Sequence, residues 1–248
     1  MRRIKTWRDP YDEGFSTCRP REIELHTGLT VLVGCNGAGK TTLLKNIAAE
    51  LSKTKTPVMF FDNLHDGGHN ALEKAGCSSN FKLLASLITS SEGENLHTNI
   101  GEVIAQVRSF LKEGVAKREK RRRDIINAFK EAGGEKPDEE KEEVSKERWL
   151  LFDAADSGYS IDNVIELKDV ITLMISDANK MGLDLYIIIS ANEYELANGE
   201  RCFDVNSGKY LTFTDYEDYK RFILKSREKK DKRYAKARCK LFVEKEQE

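Results

Sequence analysis

The sequence lacks the features of a secreted or membrane-spanning chain. Its 248 residues include five cysteines, which are scattered and form no CxxC pair. No segment approaches the run of about 18 apolar residues that a membrane-spanning helix needs. The N-terminal MRRIKTWRDP has no apolar stretch behind its positive charges, so no signal peptide is predicted. These absences predict reduced thiols and a cytoplasmic protein without membrane insertion.

Charge of neither sign is in excess overall, but its distribution is uneven. The chain has 41 Lys and Arg against 42 Asp and Glu, for a formal net charge of −1. Eleven of the basic residues lie between Lys220 and Lys240, where only Glu228 and Asp231 are acidic. Such a helix suits the phosphates of nucleic acid. The alternatives are a solvated helix face or a surface for an acidic protein partner.

Four short apolar segments predict a mostly parallel β-sheet. Each is apolar at successive positions, which is typical of a strand covered by helices on both faces. The segments are residues 29–33, 58–61, 149–152 and 185–189. Helical spacing predicts a helix over residues 162–181, which Gly182 would end. The predicted fold class is therefore α/β, with helices flanking the sheet.

The remaining segments divide the chain. Residues 202–205 and 209–213 flank Asn206-Ser207-Gly208, which predicts a hairpin with a three-residue turn, and residues 214–217 have a capping-box pattern for the final helix.

Residues 112–148 carry a basic arm and an acidic arm around Gly133-Gly134, which predicts either an αα-hairpin or a solvated, partly disordered insertion. The predicted organisation is a domain over 1–219 with this insertion, and a basic helix or tail over 220–248.

The most specific motif is Gly34-Cys35-Asn36-Gly37-Ala38-Gly39-Lys40-Thr41, which matches G-x-x-x-x-G-K-[ST]. It follows an apolar strand and opens a helical run. The motif requires this context, because its backbone N–H groups must surround a phosphate at a helix N-terminus. Lys40 would reach the β- and γ-phosphates, and the Thr41 hydroxyl would bind Mg²⁺. Asp153 ends the apolar segment 149–152 and is the predicted second Mg²⁺ ligand, the Walker B residue.

These motifs resemble those of ABC-type P-loop ATPases, particularly the SMC/RecF-like branch and the small ATPases carried by phages and mobile elements. Residues 34–44 resemble the family's P-loop, and residues 153–160 look like its Walker B motif and D-loop. Residues 89–94 are similar to its signature motif, with Ser91 and Gly93 at the important positions. The resemblance extends from about Ile4 to Phe213.

The resemblance implies ATP and Mg²⁺ as cofactors and a head-to-tail homodimer around the nucleotide. The signature residues of one subunit would complete the phosphate site of the other. The implied nucleotide-binding residues are Asn36, Gly37, Ala38, Gly39, Lys40, Thr41, Thr42, Ser91 and Gly93. The implied metal ligands are Thr41, Asp153 and Asp62, and either Asp62 or Asn63 would take the place of the family's Q-loop glutamine. His65 and His69 on the same loop suggest a separate metal site as an alternative to solvated side chains.

Two departures from the family pattern concern hydrolysis. Ala154 stands where the family usually has a catalytic glutamate, and Asn192 stands where it has a switch histidine. An amide forms hydrogen bonds but cannot accept a proton at neutral pH. Lys40, Asp153 and Asn192 are the predicted catalytic residues of a slow ATPase. Glu193 or Glu195 would supply a substitute base, and the alternative is that these loop carboxylates are simply solvated.

Four functions fit these motifs to different degrees. The first is a soluble ATPase that couples ATP to a partner or nucleic acid, as in DNA repair, phage or defence systems. The second is a nucleotide switch that binds ATP and signals with little turnover. A transporter ATPase subunit is disfavoured, because an LSGGQ directly before Walker B and a histidine after the next strand are missing. A small-molecule kinase is disfavoured, because the Asp156-Ser157-Gly158 loop would have no function in such an enzyme.

Overall fold

The computed structural model describes residues 1–5, 22–62, 104–113, 145–156 and 159–245. We label its elements in chain order. The strands are β1 (Arg2–Lys5), β2 (Glu22–Leu25), β3 (Gly28–Val33), β4 (Val58–Asp62), β5 (Glu147–Asp153), β6 (Asp184–Ser190), β7 (Cys202–Asp204) and β8 (Lys209–Leu211). The helices are α1 (Lys40–Lys53), α2 (104–113), α3 (Ile161–Lys180), α4 (Tyr194–Ala197) and α5 (Tyr216–Lys245).

The central sheet has six strands in the order β4-β5-β6-β3-β7-β8. All neighbouring pairs are parallel except the antiparallel hairpin β7-β8. β1 and β2 form a separate antiparallel pair. The four apolar segments of the sequence form β3, β4, β5 and β6, so the prediction of a mostly parallel sheet with flanking helices is confirmed. This order brings the carboxyl ends of β3, β5 and β6 side by side.

Each face of the sheet is covered by its own apolar core. On one face Leu151 and Ile188 pack with Leu43, Leu44 and other residues of α1. On the opposite face the alternate strand residues pack with α3 and α2; they include Leu150, Phe152, Ile187 and Ile189. Burial on both faces explains why the strands are apolar at successive positions. Each fully buried Leu or Ile side chain contributes about 1.5–3 kcal/mol to the free energy of folding.

Helix α3 spans Ile161–Lys180, within one residue of its predicted bounds. Gly182 has φ 65°, and its N–H donates to the Asn179 carbonyl at 3.0 Å. The Leu183 N–H donates to the Ala178 carbonyl at 3.0 Å. These bonds satisfy carbonyl groups of the last helical turn, which is the role of a glycine after a helix. The predicted helix end is confirmed.

Two local predictions are wrong by one residue. The hairpin turn comprises four residues, 205–208, because β7 ends at Asp204 and the Gly208 N–H donates to the Asp204 carbonyl at 2.8 Å. The cap of α5 is Asp215, not Thr214. The Asp215 carboxylate accepts the N–H of Asp218 at 2.8 Å, and the Asp218 carboxylate accepts the N–H of Thr214 at 3.4 Å. An aspartate caps a helix as well as a serine or threonine does, which explains the shift.

Most of the predicted insertion, 112–148, lies outside the described residues, although Glu147 and Arg148 belong to β5. The basic stretch from Lys220 to Lys240 lies within α5, as predicted. Within the described ranges, no helix is long and apolar enough to cross a membrane.

Candidate nucleotide-binding site

The P-loop, residues 34–41, connects the carboxyl end of β3 to the start of α1. Gly39 is the residue before the helix and has φ 99°, a left-handed conformation in which a Cβ is strained. Among the described residues, no side chain forms a capping hydrogen bond at this helix start. Free N–H groups at a helix N-terminus favour a phosphate.

Lys40 is the first residue of α1 and is largely buried, with 9% of its surface exposed. Its Nζ donates to the Gly34 carbonyl at 2.8 Å and to Asn192 Oδ1 at 3.0 Å. Burial lowers the pKa of Lys40, and the nearby negative charge of Asp156 acts in the opposite direction. The lysine therefore lies between the P-loop and the loop after β6, two regions that are separate in the sequence.

Asp153 is the last residue of β5 and is buried. Its Oδ1 accepts a hydrogen bond of 2.6 Å from the Ser190 hydroxyl at the end of β6, and that hydroxyl accepts the N–H of Ala154 at 2.7 Å. Parallel register places Asp62, the last residue of β4, beside Asp153. The two predicted carboxylate ligands thus belong to neighbouring strand ends.

Ala154 follows Asp153 with φ 49°, which is unusual for a residue with a Cβ. This conformation turns the chain sharply out of β5, beside the strand end that carries Ser190. A methyl side chain at this position has no group that accepts a proton. The departure from the ABC-type pattern therefore lies next to the Walker B carboxylate.

Asp156 connects two loops of the site. Its Oδ2 accepts the N–H groups of Asn192 at 2.5 Å and of Glu193 at 2.6 Å. Its Oδ1 is buried and has no hydrogen-bond partner in the part of the chain that the structure describes. Asp156 thereby fixes the backbone of Asn192, whose side chain accepts the hydrogen bond from Lys40.

Helix α5 also reaches this site. The Tyr219 hydroxyl donates to the Asn192 carbonyl at 2.7 Å, and burial raises the pKa of Tyr219, so the phenol stays protonated as a donor. Farther along α5, the Ser226 hydroxyl accepts the N–H of Cys35 at 3.1 Å. The Lys230 ammonium donates to the Asn36 carbonyl at 2.8 Å. Two consecutive P-loop residues are therefore bonded to the C-terminal helix.

Several predicted site residues lie close together. Lys40, Asp153 and Asn192 meet where the ends of β3, β5 and β6 adjoin. Asn36 and Gly37 are on the exposed part of the P-loop, Ala38 is buried, and Thr41 and Thr42 are exposed in the first turn of α1. Ser91, Gly93, His65 and His69 lie outside the described residues. The described residues contain no group of three or more His, Cys, Asp or Glu that would hold a metal ion.

Sequence reasoning missed the structural roles of Ser190, Asp156 and Ser226. The only signal for Ser190 was its position as a polar residue at the end of an apolar strand. Asp156 was noticed as part of a D-loop, without its bonds to the loop after β6. Ser226 lies among the basic residues of α5, for which the sequence indicated only a role of charge.

The polar groups at this site fit a nucleotide with Mg²⁺. A buried lysine and an uncapped helix start suit phosphate oxygens, and a hydroxyl and a carboxylate are ligands that Mg²⁺ prefers. Mg²⁺ in nucleotide sites usually binds one or two carboxylates together with phosphates and water, so a dense cluster of ligands is not required.

The strand, loop and helix with Lys40 at their junction define a P-loop nucleotide-binding protein. A family model described as ABC transporter matches residues 23–201, which is more than half of the chain. The chain therefore belongs to this family, the ABC-type P-loop ATPases, and the family resemblance of the sequence is confirmed at that level. The comparison with curated proteins found no match.

Proposed function

We propose that this protein binds ATP with Mg²⁺ at the P-loop, forms a head-to-tail homodimer around it, and couples binding and slow hydrolysis to a partner. The observation that carries the proposal is the position of Lys40. Its Nζ joins the Gly34 carbonyl to the Asn192 side chain, beside the strand end that bears Asp153. The proposal rests also on membership of the ABC-type family.

The residues of the site have distinct roles in this proposal. Lys40 binds the β- and γ-phosphates, and the backbone of residues 36–42 surrounds them. Thr41 and Asp153 hold Mg²⁺, with Asp62 as a further ligand from the adjacent strand end. The Ser190 hydroxyl donates a hydrogen bond to the Asp153 carboxylate and so holds the orientation of this ligand. Bound Mg²⁺ neutralises charge on the phosphate oxygens.

Slow hydrolysis follows from the groups around the attacking water. Ala154 accepts no proton, and Asn192 positions a water or phosphate only through hydrogen bonds. Loss of one general base typically lowers a rate by about 10²–10⁴-fold. Asp156 is the nearby buried carboxylate, but its Oδ2 already accepts hydrogen bonds from two N–H groups and holds the backbone of residues 192 and 193. Turnover should therefore be detectable and slow.

Titration with ATP and Mg²⁺ tests the site directly. Lys40→Ala should weaken ATP binding at least tenfold, because hydrogen bonds to charged groups contribute about 1.5–3 kcal/mol. Lys45→Ala is the matched control, since Lys45 is an exposed lysine of the same helix. Equal ATP affinity in wild type and Lys40→Ala would overturn the proposed site.

The second candidate function is a switch that binds ATP and signals without turnover. Ala154 next to Asp153 is the observation that favours it. Steady-state phosphate release distinguishes the two candidates. Release that Lys40→Ala abolishes supports the ATPase, whereas ATP binding with no release above the Lys40→Ala background supports the switch.

Nucleic acid is the partner that the charge of α5 favours. Lys225, Arg227 and Lys232 are exposed on this helix. Binding to a labelled DNA duplex should weaken with salt, with a slope that falls by about 0.9 for each phosphate contact removed. Replacing the three side chains by glutamine should reduce both affinity and slope. Absence of binding at low salt would refute this partner and leave a solvated helix face or a surface for an acidic protein as the alternatives.

The wider setting is also a proposal. The SMC/RecF-like resemblance suggests DNA repair, a phage or a defence system, in a soluble cytoplasmic protein. The family description names transporters, so a transporter subunit is the competing assignment. Fractionation separates them: recovery with a membrane partner would favour the transporter, and recovery in the soluble fraction would favour the first setting.

A further inference from the structure

Two side chains of α5 bond to the backbone of the P-loop across long sequence separations. Ser226 accepts the Cys35 N–H at 3.1 Å, and Lys230 donates to the Asn36 carbonyl at 2.8 Å. Residues four apart lie on the same face of a helix, so one face of α5 contacts the loop. The loop is therefore held by a part of the chain that lies outside the matched family region, residues 23–201.

The bond from Ser226 acts on the same peptide group as Lys40. The Gly34 carbonyl and the Cys35 N–H belong to one planar trans peptide, so they point in opposite directions. The carbonyl accepts from Lys40 Nζ at 2.8 Å, and the N–H donates to Ser226 on the other side. Ser226 thus fixes the orientation of the carbonyl that holds the phosphate-binding lysine.

Lys230 acts on the second peptide group in the same way. Its ammonium fixes the Asn36 carbonyl, so the Gly37 N–H of that peptide points to the opposite side, away from α5. Gly37 has φ 74°, and a Cβ added there would lie 3.5 Å from Lys230 Nζ. That distance is an ordinary contact, so the positive φ, not the approach of α5, is what favours glycine here. Lys230 sets the direction of one loop N–H.

Ser226 is itself held firmly. It is buried, with 3% of its surface exposed, and the side-chain amide of Asn206 donates to its hydroxyl at 2.7 Å. Asn206 lies in the β7–β8 turn, where its N–H donates to the Asp204 carboxylate at 2.9 Å. The hydroxyl is thus anchored to the sheet, as a group that positions another group must be.

We propose that Ser226 and Lys230 are positioning residues of the nucleotide site, through which α5 orients the P-loop. The inference rests on the proposed ATP site. Ser226 acts through the Gly34–Cys35 peptide on Lys40, and Lys230 acts through the Asn36–Gly37 peptide on a phosphate-facing N–H. Since coupling is reciprocal, a ligand that shifts α5 changes ATP affinity, and ATP changes affinity for that ligand.

The test combines two measurements on the full chain. The first is hydrogen exchange of the P-loop amides without nucleotide, and the second is the dissociation constant for ATP with Mg²⁺. The variants are Ser226→Ala, Lys230→Ala and the conservative Lys230→Arg. Lys229→Ala is the matched control, because Lys229 is the exposed neighbouring lysine on α5.

The expected results differ among the variants. Ser226→Ala should speed exchange at the Cys35 amide, and each alanine variant should weaken ATP binding about three- to thirtyfold. Lys230→Arg should restore most of the affinity, and Lys229→Ala should match wild type. A variant that lowers thermal stability but leaves ATP affinity unchanged would assign the bonds a purely structural role and overturn the inference.

A double-mutant cycle tests the route through Lys40. If Ser226 acts through that lysine, the effect of Ser226→Ala on ATP affinity should largely disappear in a Lys40→Ala background. Additive effects would overturn this route. Wild type that binds no ATP would instead refute the proposed function, while the exchange measurement would still decide whether α5 holds the loop.

Discussion

At the residue scale, Ala154 and Ser190 distinguish this site from a bare P-loop pattern. Ala154 lacks the carboxylate that the family usually carries, and Ser190 bonds to both Asp153 and Ala154. In the proposed function, the first residue lies beside the attacking water, and the second orients the metal ligand. Their substitutions therefore have different expected consequences.

Ala154→Glu should increase steady-state hydrolysis by about tenfold or more, because it supplies the missing general base. The positive φ at this position already strains the alanine Cβ, so glutamate adds little further backbone strain. Ala154→Gln is the control, since it has nearly the same shape without the basic carboxylate. A glutamate variant no faster than the glutamine variant would refute the alignment of Ala154 with the family's catalytic residue.

Ser190→Ala should raise the Mg²⁺ concentration needed for ATP binding and lower the free energy of unfolding by about 1–3 kcal/mol. The cause is the loss of the bonds that orient Asp153 and satisfy the Ala154 N–H. Ser52→Ala is the control, because the Ser52 hydroxyl is exposed and bonds only within α1. An unchanged Mg²⁺ dependence would show that Ser190 does not orient the metal ligand.

The sequence predicted those site residues that belong to local motifs. Lys40 and Asp153 were found because a glycine loop or an apolar strand precedes each of them. The partners of these residues were not found, since Ser190 lies 37 residues from Asp153 and Ser226 lies 191 residues from Cys35. Such contacts depend on strand order and helix packing, which local patterns do not specify.

At the element scale, the strands and α3 were predictable from their apolar patterns. Strands buried on both faces are apolar at successive positions, whereas a helix buried on one face is apolar at helical spacing. The hairpin turn and the cap of α5 were predicted one residue from their observed positions, since neighbouring polar residues compete for the same hydrogen bonds. The packing of α5 on the P-loop was not predictable, because the sequence of α5 is dominated by charged residues and gives no sign that Ser226 contacts the loop.

The anchoring of α1 under the P-loop depends on its buried leucines. Leu44→Ala should lower the free energy of unfolding by about 2–5 kcal/mol, since Leu44 is fully buried against the sheet. Leu173→Ala is the matched control, because Leu173 of α3 is 62% exposed. Denaturant unfolding of both variants measures the difference, and equal losses would contradict the assigned core.

At the scale of the whole molecule, the proposed function requires ATP to join two copies of this chain. Within one chain, the candidate site contains the P-loop, Asp153 and Asn192. The signature residues Ser91 and Gly93, which the family resemblance assigns to the partner's site, lie outside the described residues. In this proposal a single chain holds one nucleotide incompletely, and a second copy completes the phosphate site.

The most direct test is the solution mass of wild type and Lys40→Ala, each measured with and without ATP and Mg²⁺. We expect wild type to shift from one chain to two only when ATP and Mg²⁺ are present, and Lys40→Ala to remain a single chain. A wild-type protein that stays a single chain with saturating ATP, or the same mass in all four measurements, would contradict an ATP-dependent dimer.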